Sequence, residues 1–110
     1  MDIREEMRGD VMLIRAAGRL DSGSAGELEA VLPVRTQAHP KVVLDLAETP
    51  YVSSAGLRVL LIGAKAARAA GHKLVLAGLS PSVREVFDIS GFTTIFAIEA
   101  DADSAVATLS

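Results

Sequence analysis

The run KVVLDLAE at residues 41–48 constrains the fold more than any other stretch of this chain. It is short, almost wholly apolar and ends in an acid, which is typical of a strand buried on both faces. A strand of this kind belongs in the centre of a sheet, parallel to a neighbour, and parallel strands need helical crossovers. This one segment therefore predicts an α/β fold.

The rest of the chain alternates between strand and helix patterns. Besides residues 41–48, strands are predicted over residues 10–18, 73–78 and 93–98. A further short strand over residues 3–7 is joined to the strand over 10–18 by a hairpin at residues 8–10. The predicted helices cover residues 23–38, 55–70, 81–90 and 101–109, with Asp21 or Ser22 capping the first and Gly71 and Gly91 ending the second and third. Pro33 predicts a kink or an early end in the first helix. The pattern predicts one domain over residues 1–110, with a four- to five-stranded mixed sheet and about four helices.

Composition excludes several classes of function. The formal net charge is −3, so the chain lacks the basic footprint of a nucleic-acid-binding protein. It contains no cysteine, which excludes disulfides, thiol catalysis and cysteine-bound zinc. The charged N-terminus does not resemble a signal peptide, and the longest apolar stretch, residues 57–70, is too short to span a bilayer. We therefore expect a cytoplasmic protein with no metal, no cofactor, no nucleic-acid partner and no membrane insertion.

Catalysis is a poor fit to the sequence. Neither serine of YVSSAGLRVLL, residues 51–61, has the glycine two residues earlier that the nucleophile elbow of hydrolases requires. His39 and His72 are the only histidines, and no second acid has acid/base spacing with Asp21 or Asp45. The stretch DSGSAGE does not match a phosphate-binding loop. The sequence therefore favours a protein that is not an enzyme.

Ser54 is predicted to lie at or near the N-cap of the second helix, just before Gly56 and Leu57. A serine there commonly caps the helix, because its oxygen accepts a free backbone N–H. A phosphate on the same oxygen would also be tolerated by the helix N-terminus, and would add about −1.5 to −2 charges at neutral pH. The residues alone leave both roles open. Arg58, one turn later, is either a phosphate contact or a solvated side chain.

Apolar residues fall on more than one face of this helix. The set expected to face the sheet is Leu57, Leu60, Leu61 and Ala64. The apolar residues on other faces are Val59, Ile62 and Ala66. Two interpretations stay open: a helix packed on two sides, or a helix with an exposed surface for a partner.

Four segments, covering nearly the whole chain, resemble the STAS family, the sulphate-transporter and anti-sigma-factor-antagonist domains. These are GRLDSGSAGELEAVL (18–32), VVLDLAETPYVSSAGLRVLL (42–61), GHKLVLAGLSPSVREVFDISGF (71–92) and the tail 93–109. Within the family, the chain is similar to the small bacterial anti-anti-sigma factors. The resemblance implies a STAS-like fold.

The resemblance also implies a partner switch. The unmodified antagonist binds an anti-sigma factor that is also a serine kinase, and the sigma factor is released. The kinase phosphorylates the antagonist, the complex dissociates, and a phosphatase resets it. The family's phosphorylated serine lies two residues before the glycine of Gly56-Leu57, which is Ser54 here. Ser53 stands where aspartate is common, so it is an alternative acceptor.

The resemblance places the Leu20-Asp21 segment beside the serine, where Asp21 would orient the hydroxyl or contact the kinase. The predicted partner-binding residues are Asp21, Ser53, Ser54, Gly56, Leu57, Arg58, Val59 and Ile62. The alternative function is a STAS accessory or signalling-scaffold module, for example in a lipid-transport complex, that phosphorylation does not regulate.

Overall fold

Five strands form one mixed sheet in the order β1-β2-β3-β4-β5 in the computed structural model, which describes residues 1–110. The strands are β1 (Asp2–Arg8), β2 (Val11–Ala17), β3 (Lys41–Glu48), β4 (Lys73–Ala77) and β5 (Ala97–Glu99). β1 and β2 form an antiparallel hairpin, and every other neighbouring pair is parallel. The mixed five-stranded sheet confirms the predicted α/β architecture.

Helices cover both faces of the sheet. They are α1 (Ala25–Glu29), α2 (Leu32–Ala38), α3 (Ser54–Ala70), α4 (Pro81–Ser90) and α5 (Ala102–Leu109). The larger apolar cluster joins one sheet face to α1, α2, α3 and α4. The smaller cluster joins the opposite face to α5. No helix is both long enough and apolar enough to cross a bilayer.

β3 lies in the middle of the sheet, as its apolar run predicts. Its Leu44 is in register with Ile14 of β2 and with Leu76 of β4, both in parallel pairing. Val42 and Leu44 point into the larger cluster and Val43 into the smaller one. Both faces of the strand are buried because helices lie on both sides of it.

The first predicted helix is two helices. α1 ends at Glu29, and α2 begins at Leu32 with Pro33 in its first turn. Proline is tolerated there because the first N–H groups of a helix have no intrahelical acceptor. The residue at the N-cap of α1 is Ser24, not Asp21 or Ser22, and its side chain makes no capping hydrogen bond.

The strand predicted over residues 93–98 is wrong in its first half. Phe92–Thr94 form a 3-10 turn directly after Gly91, which has a φ of 80°. This turn gathers three phenylalanines: the Phe87 ring centroid lies 6.1 Å from that of Phe92 and 6.1 Å from that of Phe96. Packing of the aromatic rings outweighs the strand pattern here, and β5 begins only at Ala97.

α3 approaches its neighbours closely at two glycines. A Cβ on Gly63 would lie 2.6 Å from Cδ2 of Leu32 in α2. A Cβ on Gly56 would lie 2.7 Å from Cγ of Leu20 and 2.9 Å from the Leu20 carbonyl oxygen. The second contact is with backbone, which cannot move away as a side chain can. Gly56 therefore allows the segment after β2 to lie directly against the first turn of α3.

We expect Gly56→Ala to lower the free energy of unfolding by about 1–2 kcal/mol. Overpacking costs about 1–3 kcal/mol, and the better helix propensity of alanine offsets up to about 1 kcal/mol of this. Urea unfolding followed by circular dichroism measures the change.

Gly26→Ala in α1 is the matched control, because nothing lies within 4 Å of the added Cβ. It should raise the free energy of unfolding by up to about 1 kcal/mol. Equal stabilities for the two variants would contradict a close contact at Gly56.

Candidate functional site

The loop that leads into α3 is held by a parallel bridge between Leu20 and Val52. The Leu20 N–H donates to the Tyr51 carbonyl at 2.9 Å, and the Ser53 N–H donates to the Leu20 carbonyl at 2.8 Å. Thr49 anchors the other end of the loop: it is buried, and its hydroxyl donates to the Ala16 carbonyl at 2.8 Å. The predicted proximity of Leu20-Asp21 to the serines is therefore confirmed.

Ser53, not Ser54, caps α3. Its backbone is extended, with φ −88° and ψ 176°, and its Oγ accepts the Gly56 N–H at 3.3 Å. Its carbonyl accepts the Leu57 N–H at 2.9 Å, the first hydrogen bond of the helix. The N-cap position predicted at or near Ser54 is thus one residue earlier.

Ser54 is the first residue of α3, and its side chain is exposed. Its hydroxyl makes no hydrogen bond within the chain. The backbone N–H groups around it belong to the first turn, where donors lack intrahelical acceptors and the helix dipole is positive. This arrangement gives a free hydroxyl in surroundings that accept negative charge.

Asp21 does not orient the Ser54 hydroxyl. Its Oδ1 accepts the Gly23 N–H at 3.0 Å and lies 3.4 Å from Oγ of Ser24, while its Oδ2 lies 3.7 Å from Nε of Arg19. The carboxylate is therefore used in the turn into α1. What approaches the serine loop is the backbone next to Asp21, through the Leu20 bridge.

One stripe of α3 carries Ser54, Arg58 and Ile62 at intervals of four residues, so these residues lie on the same helix face. The Arg58 side chain is 71% exposed, and its Nη1 lies 3.7 Å from Oε1 of Glu29 at the end of α1. Ile62 is half-buried. The stripe thus presents a hydroxyl, a guanidinium and a partly exposed apolar side chain.

Three other predicted contact residues of α3 point inward. Gly56 is buried against Leu20. Leu57 and Val59 are only 9% and 1% exposed and belong to the larger core cluster. Val59 is buried because α3 packs on two sides, against the sheet and against α1 and α2, so its role as a partner contact stays a prediction. Leu61, predicted to face the sheet, is only half-buried.

Tyr51 and Arg19 also border the loop, and sequence reasoning missed them. The Arg19 guanidinium lies 4.3 Å from the centroid of the Tyr51 ring, which is a cation–π geometry. The two residues flank Leu20 and Val52 in the parallel bridge. Only the register of that bridge brings them together, so no local pattern could have identified the pair.

The side chains whose pKa values are shifted by their neighbours lie away from this loop. Lys41 lowers the pKa of Asp10, and the Ser104 N–H lowers the pKa of Asp101, the N-cap of α5. Asp103 raises the pKa of Arg8 and Glu5 raises that of Arg35. No group of three histidine, aspartate or glutamate side chains is placed to hold a metal ion.

Comparisons with known proteins identify the family. The STAS domain model matches residues 2–105. BtrV of Bordetella bronchiseptica, by its name a candidate anti-sigma factor antagonist, is 46% identical over 100 residues, covering 89% of this chain and 86% of BtrV.

Solved structures agree on the fold. An anti-sigma factor antagonist from Mycobacterium paratuberculosis superposes with a TM-score of 0.87 at 20% identity, covering 97% of this chain and 92% of that one. The Bacillus cell fate determinant SpoIIAA, in its phosphorylated form, superposes with a TM-score of 0.77 at 20% identity, covering 99% and 100% of the two chains. The chain has the Gly56-Leu57 motif, the Leu20–Val52 bridge that packs against it and the five-stranded sheet. It belongs to the STAS domain family of anti-sigma factor antagonists.

Proposed function

We propose that this chain is an anti-sigma factor antagonist that is switched off by phosphorylation of Ser54. In the unmodified state it binds an anti-sigma factor that is also a serine kinase, and a sigma factor is released. Phosphorylation of Ser54 by that kinase ends the interaction, and a phosphatase restores it. In this proposal, residues 1–110 form a single STAS domain that acts in the cytoplasm and is itself not an enzyme.

One observation carries the proposal: two adjacent serines differ in what their hydroxyls do. The Ser53 Oγ is engaged as the helix cap, whereas the Ser54 hydroxyl is exposed and unpartnered. Modification of Ser53 would disturb the cap, while modification of Ser54 would leave every hydrogen bond of the loop in place. Ser54 is therefore the better acceptor, and Ser53 is the structural residue beside it.

The charge of a phosphate would act on the partner more than on the fold. It adds about −1.5 to −2 charges at neutral pH, next to free N–H groups and the positive end of the α3 dipole. The free N–H groups and the helix dipole therefore stabilise a phosphate on Ser54. A partner packed on the Ser54, Arg58 and Ile62 stripe would instead have to accommodate a doubly charged group at its interface, which costs affinity through desolvation and repulsion of any acid nearby.

The geometry of the loop suits recognition by a kinase. The Leu20–Val52 bridge holds the backbone before Ser54, so the hydroxyl is presented from a fixed position. The half-exposed Tyr51 and the exposed Arg19 border this position and add an aromatic and a cationic contact. We include both in the proposed surface with Asp21, Arg58 and Ile62, and leave out Val59 because it is buried.

Substitution of each serine by alanine should separate the cap from the acceptor. Ser53→Ala should lower the free energy of unfolding by about 0.5–2 kcal/mol, the usual cost of losing an N-cap side chain. Ser54→Ala should change it by less than about 0.5 kcal/mol, because the side chain is exposed and has no partner. Urea unfolding of both variants tests this, and a larger loss in Ser54→Ala would contradict the assignment of Ser53 as the cap.

Intact mass spectrometry should identify the acceptor. After incubation with ATP and the cognate kinase, the parent chain should gain the mass of one phosphoryl group. Ser53→Ala should still gain it, and Ser54→Ala should not. Modification of Ser54→Ala to the same extent as the parent would assign the switch to another residue.

Binding to the anti-sigma factor should depend on charge at position 54. Ser54→Ala should bind like the parent, whereas Ser54→Asp should bind at least about tenfold more weakly, since a charge at an interface must be desolvated. Calorimetry with the purified anti-sigma factor measures the affinity. Ser82→Asp is the control for added charge, because Ser82 is an exposed residue of α4. Equal affinities for Ser54→Ala and Ser54→Asp would favour the scaffold-module alternative.

A further inference from the structure

A cavity of about 480 Å³ lies at the opposite end of α3 from the serine loop. The end of α3, the start of β4, the segment before β5 and the end of α5 form its walls. The α3 residues that line it, Ala64, Ala67 and Arg68, come 10 to 14 residues after Ser54, which places the cavity about 15–21 Å from Ser54 along the helix. It is therefore separate from the proposed switch. Its volume is within the range of about 300–1,000 Å³ that is typical of small-molecule sites.

The lining of this cavity is mainly apolar, and its hydrophobic residues together are called the apolar floor. Eight of its twelve lining residues are hydrophobic, among them Leu74, Phe96 and Leu109. Ile95, also in the lining, leaves 46% of its surface exposed. A ligand with an apolar body would cover this surface and remove it from water.

The polar part of the lining is basic. Arg68, His72 and Lys73 are its ionisable residues, and no acid is among the twelve. None of the three is in a salt bridge, although ten salt bridges occur elsewhere in the chain. The Nδ1–H of His72 donates to the Thr36 carbonyl at 2.8 Å, which fixes the ring and leaves Nε2 without a partner in the chain. Arg68 and Lys73 thus carry positive charges that no salt bridge neutralises, which favours an anion here.

The backbone at the end of α3 does not cancel this preference. Helix C-termini carry partial negative charge on their last carbonyls. Here the Gly71 N–H donates to the Arg68 carbonyl at 3.1 Å and the His72 N–H donates to the Ala67 carbonyl at 2.8 Å. Two of the terminal carbonyls are thus already satisfied by the turn at Gly71.

We propose that this cavity binds a small amphipathic anion, a carboxylate with an unbranched alkyl chain. The alkyl chain packs on the apolar floor, which includes Ile95, and the carboxylate meets Arg68 and Lys73. A cation of the same shape is disfavoured by the charges of Arg68 and Lys73. A purely polar anion is disfavoured because it leaves the apolar floor exposed to water.

Titration of the ¹⁵N-labelled full chain with sodium decanoate tests the site. Saturable amide shifts are expected at lining residues such as Leu74, Ile95 and Ala97. Acetate and decyltrimethylammonium should give no saturable shifts there. The double variant Arg68→Gln/Lys73→Gln should weaken decanoate binding about five- to tenfold, as expected for two charge-assisted contacts at an exposed rim.

Lys65→Gln is the matched control, because Lys65 is an exposed base on the same helix and does not line the cavity. It should bind decanoate like the parent. Both affected side chains of the double variant are exposed, so its fold should be retained, and circular dichroism verifies this. No saturable shift at low-millimolar decanoate, equal binding of the decyl cation, or undiminished binding by the double variant would each overturn the proposal. None of these measurements involves Ser54, so their outcome is independent of the proposed switch.

Discussion

The parallel bridge between Leu20 and Val52 is the interaction on which the site depends. It joins the segment that leaves β2 to the segment that leaves β3, at the sheet edge where parallel strands bring their carboxyl ends together. The bridge would have no room beside α3 if position 56 carried a Cβ, because the Leu20 carbonyl lies only 2.9 Å from where that atom would be. Once Gly56 permits this contact, the Ser53 N–H is used by Leu20 and its Oγ is used by Gly56, which leaves Ser54 as the free hydroxyl.

The sequence predicts well those elements whose pattern and end signals agree. β3 has the bounds that its apolar run suggests, and α3 ends at Gly71 with a φ of 73°. α4 begins after Ser80, whose Oγ accepts the Val83 N–H at 3.3 Å. In these places local backbone preference and burial favour the same structure, so no contact distant in sequence is needed to locate them.

The sequence predictions fail where contacts between residues distant in sequence determine the structure. The 3-10 turn at Phe92 exists because three phenyl rings pack together, which a strand pattern over residues 93–98 does not reveal. Val59 is buried because α1 and α2 cover the second side of α3, and residues 57–70 alone leave a packed helix and an exposed one equally open. The N-cap predicted at or near Ser54 is Ser53, and this difference of one residue decides which hydroxyl is free. That assignment depends on backbone dihedral angles that the Leu20 bridge sets.

The packing of α3 also determines how phosphorylation of Ser54 would affect the rest of the protein and its partner. Closely packed interiors change by moving between discrete arrangements and do not deform continuously. A Cβ at position 56 would meet the Leu20 backbone, and a Cβ at position 63 would meet the Leu32 side chain, so α3 approaches both neighbours closely. The helix therefore lies close to its neighbours at both glycines, which favours a switch that acts without moving α3. The proposed switch consequently acts where the charge is placed, at the surface formed by Ser54, Arg58 and Ile62, and its effect is on the partner's affinity.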